Sequence, residues 1–264
     1  MHDLAIVNAR LCDGLGSPLV EGALAVRQGR IAEIGAKVAP ARRTVDAEGA
    51  VLAPGIIDSH THFDAQVTWD PLLTPSPALG VTTAVIGNCG FTIAPCRPAD
   101  RELTMRNLTH VEGMAIDVLR QGIRWDFETI PQYLDMLERL GTALNVAAFA
   151  GHSAIRTYVM GKAAPERAAT ADEIARMRAI VLEAVQAGCC GFATSTSPSH
   201  NGEGGIPMPS RRADEAEMRA LVGALGEAGR GVFMLTKGGG TKVPFLESLA
   251  AETGRPVVVA ALLH

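Results

Sequence analysis

At 264 residues, 47% hydrophobic and 20% charged, the chain has material for one large domain or one and a half ordinary ones, and a disordered polypeptide is excluded. The formal net charge of −4, without a basic cluster, argues against nucleic acid and anionic membrane as partners and leaves an oligomer open. No apolar run is long enough to span a bilayer, Met1-His2-Asp3 opens no basic leader, and five cysteines show no framework spacing, so the composition points to a reducing cytoplasm.

Residues 1–54 read as a small β-rich unit. Leu4 to Leu11, Ala23 to Val26 and Ile31 to Ile34 are short strand-like runs, and Gln28-Gly29 supplies a hairpin turn between the last two. Ala39-Pro40 and the stretch from Asp46 to Gly49 punctuate the exit. From residue 55 the pattern changes to apolar strands alternating with amphipathic helices. The strands expected are Gly55–Thr61, Val81–Asn88, Asn145–His152, Gly191–Thr196, Val232–Thr236 and Val257–Leu263, several apolar throughout, as in a parallel sheet covered on both faces. Among the helices, one opens at Pro131 and stops at Gly141, and one opens on the capping box Thr170–Glu173 and closes at Gly188. Another opens on Asp214 with Glu217 and closes at Gly229, and a fourth runs from Thr241 to Glu252 before Gly254. Such alternation predicts an α/β fold with a (β/α) barrel rather than a doubly wound sheet, and no GxGxxG follows the first strand. Six strands are counted where a closed barrel needs eight. Together with the end of the chain at His264, this predicts an incomplete barrel: residues 1–54 a small β-sandwich part, residues 55–264 a partial barrel.

The residues with chemistry cluster at strand ends. In the stretch Val51 to Asp64, an apolar run ends in His60 and His62, which alternate-residue geometry on a strand aims at one face. Two neutral imidazoles so placed suit a divalent metal, although a pair of hydrogen-bonded core histidines has the same spacing. Cys89 follows the second strand between Gly87 and Gly90, and is either a third ligand or a small buried hydrophobe. Asp64 is either an orienter of an imidazole or a solvated loop carboxylate, and Asp58 flanks the pair on the other side. His152, at the end of the third strand, points at the barrel mouth, to touch substrate or to hold another side chain. His200 in a glycine-rich loop and Lys237 before Gly238, Gly239 and Gly240 are candidate substrate-binding residues, with lysine pairing a substrate carboxylate; the glycine–lysine order is not that of a P-loop. His2 and His110 read as surface residues. The segment Ala99 to Arg120 reads as a helical insertion near the mouth.

Gly55 to Asp64, then Gly87 to Phe91 with Ala94-Pro95, resemble the amidohydrolase superfamily, and within it the N-acyl-D-amino-acid deacylase (D-aminoacylase) group. Val67 to Pro71, Gly151 to Ser153 and Tyr158 to Gly161 are similar to segments of that group. The resemblance implies a metal-bearing barrel with a small β-sandwich, zinc as cofactor, and hydrolysis of a non-peptide C–N bond in an N-acyl amino acid by metal-activated water. It also implies His60, His62 and Cys89 as metal ligands. The fourth strand has no lysine to carbamylate, which favours the cysteine-bearing group. Where the group has a histidine after the fifth strand, this chain has Thr236 and Lys237. His264 either stands a few residues late for the sixth-strand histidine or is not its counterpart, and the group's catalytic aspartate, on the eighth strand, falls outside this chain. These departures predict weak zinc binding and little activity from the 264 residues alone. They leave a truncated or non-catalytic amidohydrolase-like protein, or a cyclic-amide hydrolase, as alternatives.

Overall fold

The computed structural model describes residues 1–110 and 113–260. The chain divides into two compact units, Met1–Ile56 and Ile57–His264. The first is a mixed sheet of β1 (His2–Leu11), β2 (Val20–Arg27), β3 (Arg30–Gly35), β4 (Ala41–Asp46) and β5 (Val51–Leu52). The order is β3-β2-β1-β4, with β5 also on β1. The β2–β3 turn puts both Gln28 and Gly29 at positive φ, 52° and 72°, the requirement of a tight two-residue hairpin. The buried side chains of β1 and β2 are alanines, Ala5, Ala9, Ala23 and Ala25, with Gly22 buried beside them. β4 and β5 lie in a stretch read above only as an exit; both run parallel to β1.

In the second unit, strands β6 (Ile56–Asp58), β7 (Val81–Ile86), β8 (Asn145–Gly151), β9 (Gly191–Ser195), β10 (Val232–Thr236) and β11 (Val257–Val259) form one sheet. They lie in sequence order, and the pairings from β7 to β11 are parallel. This is an α/β architecture with six strands of a barrel in an open sheet. Helices α1 (Arg101–Leu108), α2 (Ile116–Gly122) and α3 (Ile130–Leu140) fall between β7 and β8. They are followed by α4 (His152–Met160), α5 (Ala171–Ala187), α6 (Glu215–Glu227) and α7 (Val243–Thr253). Thr129 with Gln132 and Thr170 with Glu173 close full capping boxes on α3 and α5, and each cap satisfies amides that the first turn leaves unpaired. The core lies between helices and sheet: Met177, Val181 and Val185 of α5 and Leu221, Val222 and Leu225 of α6 are fully buried, as are Ile86, Phe192 and Phe233. The rings of Phe192 and Phe233 stack with centroids 6.0 Å apart; burial of each is worth about 1.5–3 kcal/mol.

Three strand expectations are corrected. β6 ends at Asp58, so His60 and His62 follow the strand rather than lie on it. β6 is also not buried, since Ile56 and Ile57 are more than half exposed. β8 ends at Gly151, and His152 begins α4. The last residues of the predicted sixth strand, and His264 with them, lie outside the described residues. Among the described residues, no helix is long and apolar enough to cross a membrane.

Candidate metal centre

Although β6 stops early, the segment after it stays fastened to β7. The amide of Thr61 donates to the Val85 carbonyl at 3.1 Å and its hydroxyl donates to the same oxygen at 2.8 Å. The Asn88 side chain donates to the carbonyls of Thr61 and Val85. Asp58 accepts from the His60 amide. Thr61 turns inward and is buried while the rings of His60 and His62 stand edge to face, centroids 5.3 Å apart. Alternation thus survives without a regular strand.

Cys89 reaches the same place by a strained turn. Gly87, Cys89 and Gly90 all have positive φ, 78°, 57° and 76°, uncommon for a residue with a Cβ. The turn is pressed against β9: a Cβ on Gly90 would sit 2.8 Å from the Ala193 carbonyl oxygen. The Cys89 amide donates to Met234 Sδ at 3.4 Å, and Thr236 donates its hydroxyl to Cys89 Sγ at 3.0 Å. Cys89 Sγ lies 3.4 Å from His60 Nε2 and 3.9 Å from His62 Nε2, and the three donor atoms are all within 4.8 Å of one another. Donors sharing one tetrahedral zinc stand roughly 3.3–3.7 Å apart, from bond lengths near 2.0–2.3 Å.

The electrostatics suit a cation. Burial lowers the pKa of His60, and burial with the neighbouring His60 and His200 lowers that of His62 to about 4, so both imidazoles are neutral near pH 7. Burial raises the Cys89 thiol, against the pull of the Thr236 hydroxyl. His62 Nδ1 is buried without a hydrogen-bond partner. Two neutral nitrogens and a sulfur, with an open side, are a donor set that zinc accepts.

The three donors line a cavity of about 540 Å³, together with His110, His200, Ser197, Ser199, Asn201 and Thr236. His200 accompanies the donors, with Nδ1 2.7 Å from Ser195 Oγ and its ring edge against Phe91. The other proposed residues are elsewhere. Lys237 follows the end of β10 and is not among the residues that line the cavity; Thr236, the last residue of the strand, lines it beside Cys89. Asp64 is fully buried and accepts from the Gly87 amide at 2.8 Å, with its second oxygen unpartnered; it reaches no imidazole. Burial raises its pKa to about 7. It therefore braces the Cys89 turn rather than fixing a histidine tautomer. His152 is fully buried with both nitrogens engaged: Nδ1 is 2.7 Å from Thr194 Oγ1 and Nε2 2.8 Å from Glu217 Oε1. Arg156 closes on the other oxygen of Glu217. This cluster supports the floor beneath the Cys89 turn and does not open to the cavity.

Sequence reasoning missed His110 and Thr236. His110 lies in the turn after α1 and had no motif around it. Thr236 is an unremarkable strand residue until β10 is set against the Cys89 turn.

Residues 43–263 match the amidohydrolase family. The chain is 40% identical over 195 residues to an N-acyl-D-aspartate deacylase of Alcaligenes xylosoxydans xylosoxydans, covering 74% of this chain and 36% of that protein. It is 40% identical over 194 residues to a D-aminoacylase of the same organism, covering 73% and 37%. Among solved structures, N-acyl-D-glutamate deacylase from Bordetella bronchiseptica, complexed with zinc and a phosphonate inhibitor, superimposes with a TM-score of 0.78 at 31% identity. That match covers 98% of this chain and 51% of that one. The chain thus spans about a third of the length of the two curated relatives and about half of the solved structure.

Proposed function

Because the chain belongs to the amidohydrolase family, we propose that it carries the metal-binding part of a zinc-dependent hydrolase that cleaves the amide of N-acyl amino acids, of the D series. The observation that carries this reading is the convergence of His60, His62 and Cys89 on one point of a cavity that histidine, serine, asparagine and threonine side chains line. The deacylase relatives supply the substrate class. When bound, zinc supplies Lewis acidity and lowers the pKa of water toward neutrality. His60 and His62 hold it as neutral donors, Cys89 as a thiolate, and Thr236 directs the sulfur by a hydrogen bond. Ser197, Ser199, Asn201 and His200 line the wall that a polar substrate meets. Residues 1–54 serve as the β-sandwich part and the remainder as the barrel part of the enzyme. A cytoplasmic home fits five free cysteines.

No carboxylate lines the cavity among the described residues. A missing general acid–base costs on the order of a hundred- to ten-thousand-fold in rate, so turnover by these residues alone is slow. The site itself is tested by cobalt substitution. The expected result is a thiolate-to-cobalt absorption band that vanishes in Cys89→Ser, weakens in His60→Ala, and shifts when an N-acetyl-D-amino acid is added. A band indifferent to Cys89, or zinc retained after dialysis equally by wild type and His60→Ala, would sink the assignment.

A further inference from the structure

We infer that His200 is a substrate-contacting hydrogen-bond donor, locked by Ser195 into the tautomer that carries its proton on Nε2. This deepens, and rests on, the amide-hydrolase reading above. Ser195 Oγ accepts from the Ser197 amide at 3.1 Å and lies 2.7 Å from His200 Nδ1; among the described residues, the other acceptor within its hydroxyl's reach is the Thr236 carbonyl, at 3.5 Å. The hydroxyl has one proton, and a contact at 2.7 Å is a far better bond than one at the outer limit. Ser195 therefore donates to Nδ1. An imidazole that accepts at Nδ1 is protonated at Nε2 when neutral.

The lock is itself anchored. Ser195 sits on β9, and its carbonyl accepts from the Ser210 hydroxyl at 2.9 Å, while the Ser210 amide donates to Ser153 Oγ on α4. Ser195 and Ser210 are fully buried. The ring is also held edge-on by Phe91 at 4.9 Å. Burial, with the Arg211 charge, lowers the His200 pKa and so favours the neutral ring that this geometry requires. Nε2 has no partner among the described residues, and His200 lines the same cavity as the three metal donors. A neutral donor there, beside but outside the donor cluster, suits the carbonyl oxygen of a scissile amide, whose negative charge grows as water adds.

The test has two parts, one independent of metal and substrate. Nitrogen-15 spectra of the histidine-labelled, metal-free chain should show His200 protonated at Nε2 with Nδ1 unprotonated, and Ser195→Ala should release it to a mixture. Resonances are assigned with His200→Gln. A wild-type spectrum with the proton on Nδ1 overturns the proposal, whatever the fate of the hydrolase reading. The second part measures binding of a methylphosphonyl analogue of an N-acyl amino acid to the zinc-loaded chain. Loss of that donor to a charged oxygen is expected to weaken binding about 10- to 100-fold in His200→Ala. His200→Gln, which retains an N–H, should recover much of it, with zinc content and thermal midpoint unchanged in both. Equal affinity of wild type and His200→Ala overturns the donor role while leaving the metal site standing. A wild type that takes up no zinc even with the metal in excess would instead remove the parent reading, and with it the substrate contact.

Discussion

At the scale of single residues, the second unit moves the pKa values of several ionisable groups away from those they have in water. His60, His62, His152 and His200 are all shifted down, chiefly by burial, His62 to about 4. A histidine lowered on folding binds its proton more readily in the unfolded chain. Its contribution is whole above 6.5 and is lost as pH falls toward its folded value. For His62 alone that is on the order of 2–4 kcal/mol. Asp64 opposes this: raised to about 7 by burial, it favours the folded chain increasingly as pH falls from 7 toward 3.8. Four groups against one predict that the metal-free chain loses urea resistance as pH is lowered from about 6.5 to about 4. Asp64→Asn should steepen that loss; a flat profile in both proteins would contradict the assignment of neutral imidazoles.

At the scale of elements, α6 shows how a sequence signature can divide. Asp214 followed by Glu217 has capping-box spacing, and the helix does begin there, but only half the box forms. Asp214 accepts from the Glu217 amide at 2.8 Å, while the Glu217 carboxylate turns inward to His152 and Arg156. Burial alone would push that carboxyl up, and the two bases hold it below its ordinary range. Asp214→Ala should therefore cost about 1 kcal/mol in a denaturant titration. Glu217→Ala, which strands a buried guanidinium, should cost about 3–5 kcal/mol; comparable losses would mean that the inward cluster is energetically idle. The start of α6 was legible because capping is local. The destination of the Glu217 side chain was not, because His152 lies 65 residues away in sequence. The same divide runs through the site. His60 and His62 declared themselves by spacing and Cys89 by its glycines, whereas Thr236 joins Cys89 across 147 positions. β4 escaped notice for a related reason: Ala41–Asp46 is largely exposed and charged, and becomes a strand by pairing with β1.

At the scale of the molecule, strand order was legible because each strand pairs with the next, and the six-strand count of the sequence is the count of the sheet. Among the described residues, the ends of that sheet, β6 and β11, each have one neighbour. Unpaired edges recruit other strands unless blunted, and β6 offers no blunting: Ile57 is 63% exposed. Sedimentation of the 264-residue chain should show concentration-dependent self-association, reduced by Ile57→Lys. A monomer at all concentrations, or association unaffected by the lysine, would place the sticky surface elsewhere.

The left-handed backbone at Cys89 also constrains what chemistry this site could be given by substitution. Of the residues that bind metals, aspartate tolerates that conformation better than most. Histidine is tolerated as well, but its ring must find room in a turn braced against β9. Cys89→Asp is thus the exchange that the backbone favours, and it trades a soft sulfur for hard oxygen. The turn is therefore a lever on elemental preference, along which a zinc site could be moved toward manganese without rebuilding the fold.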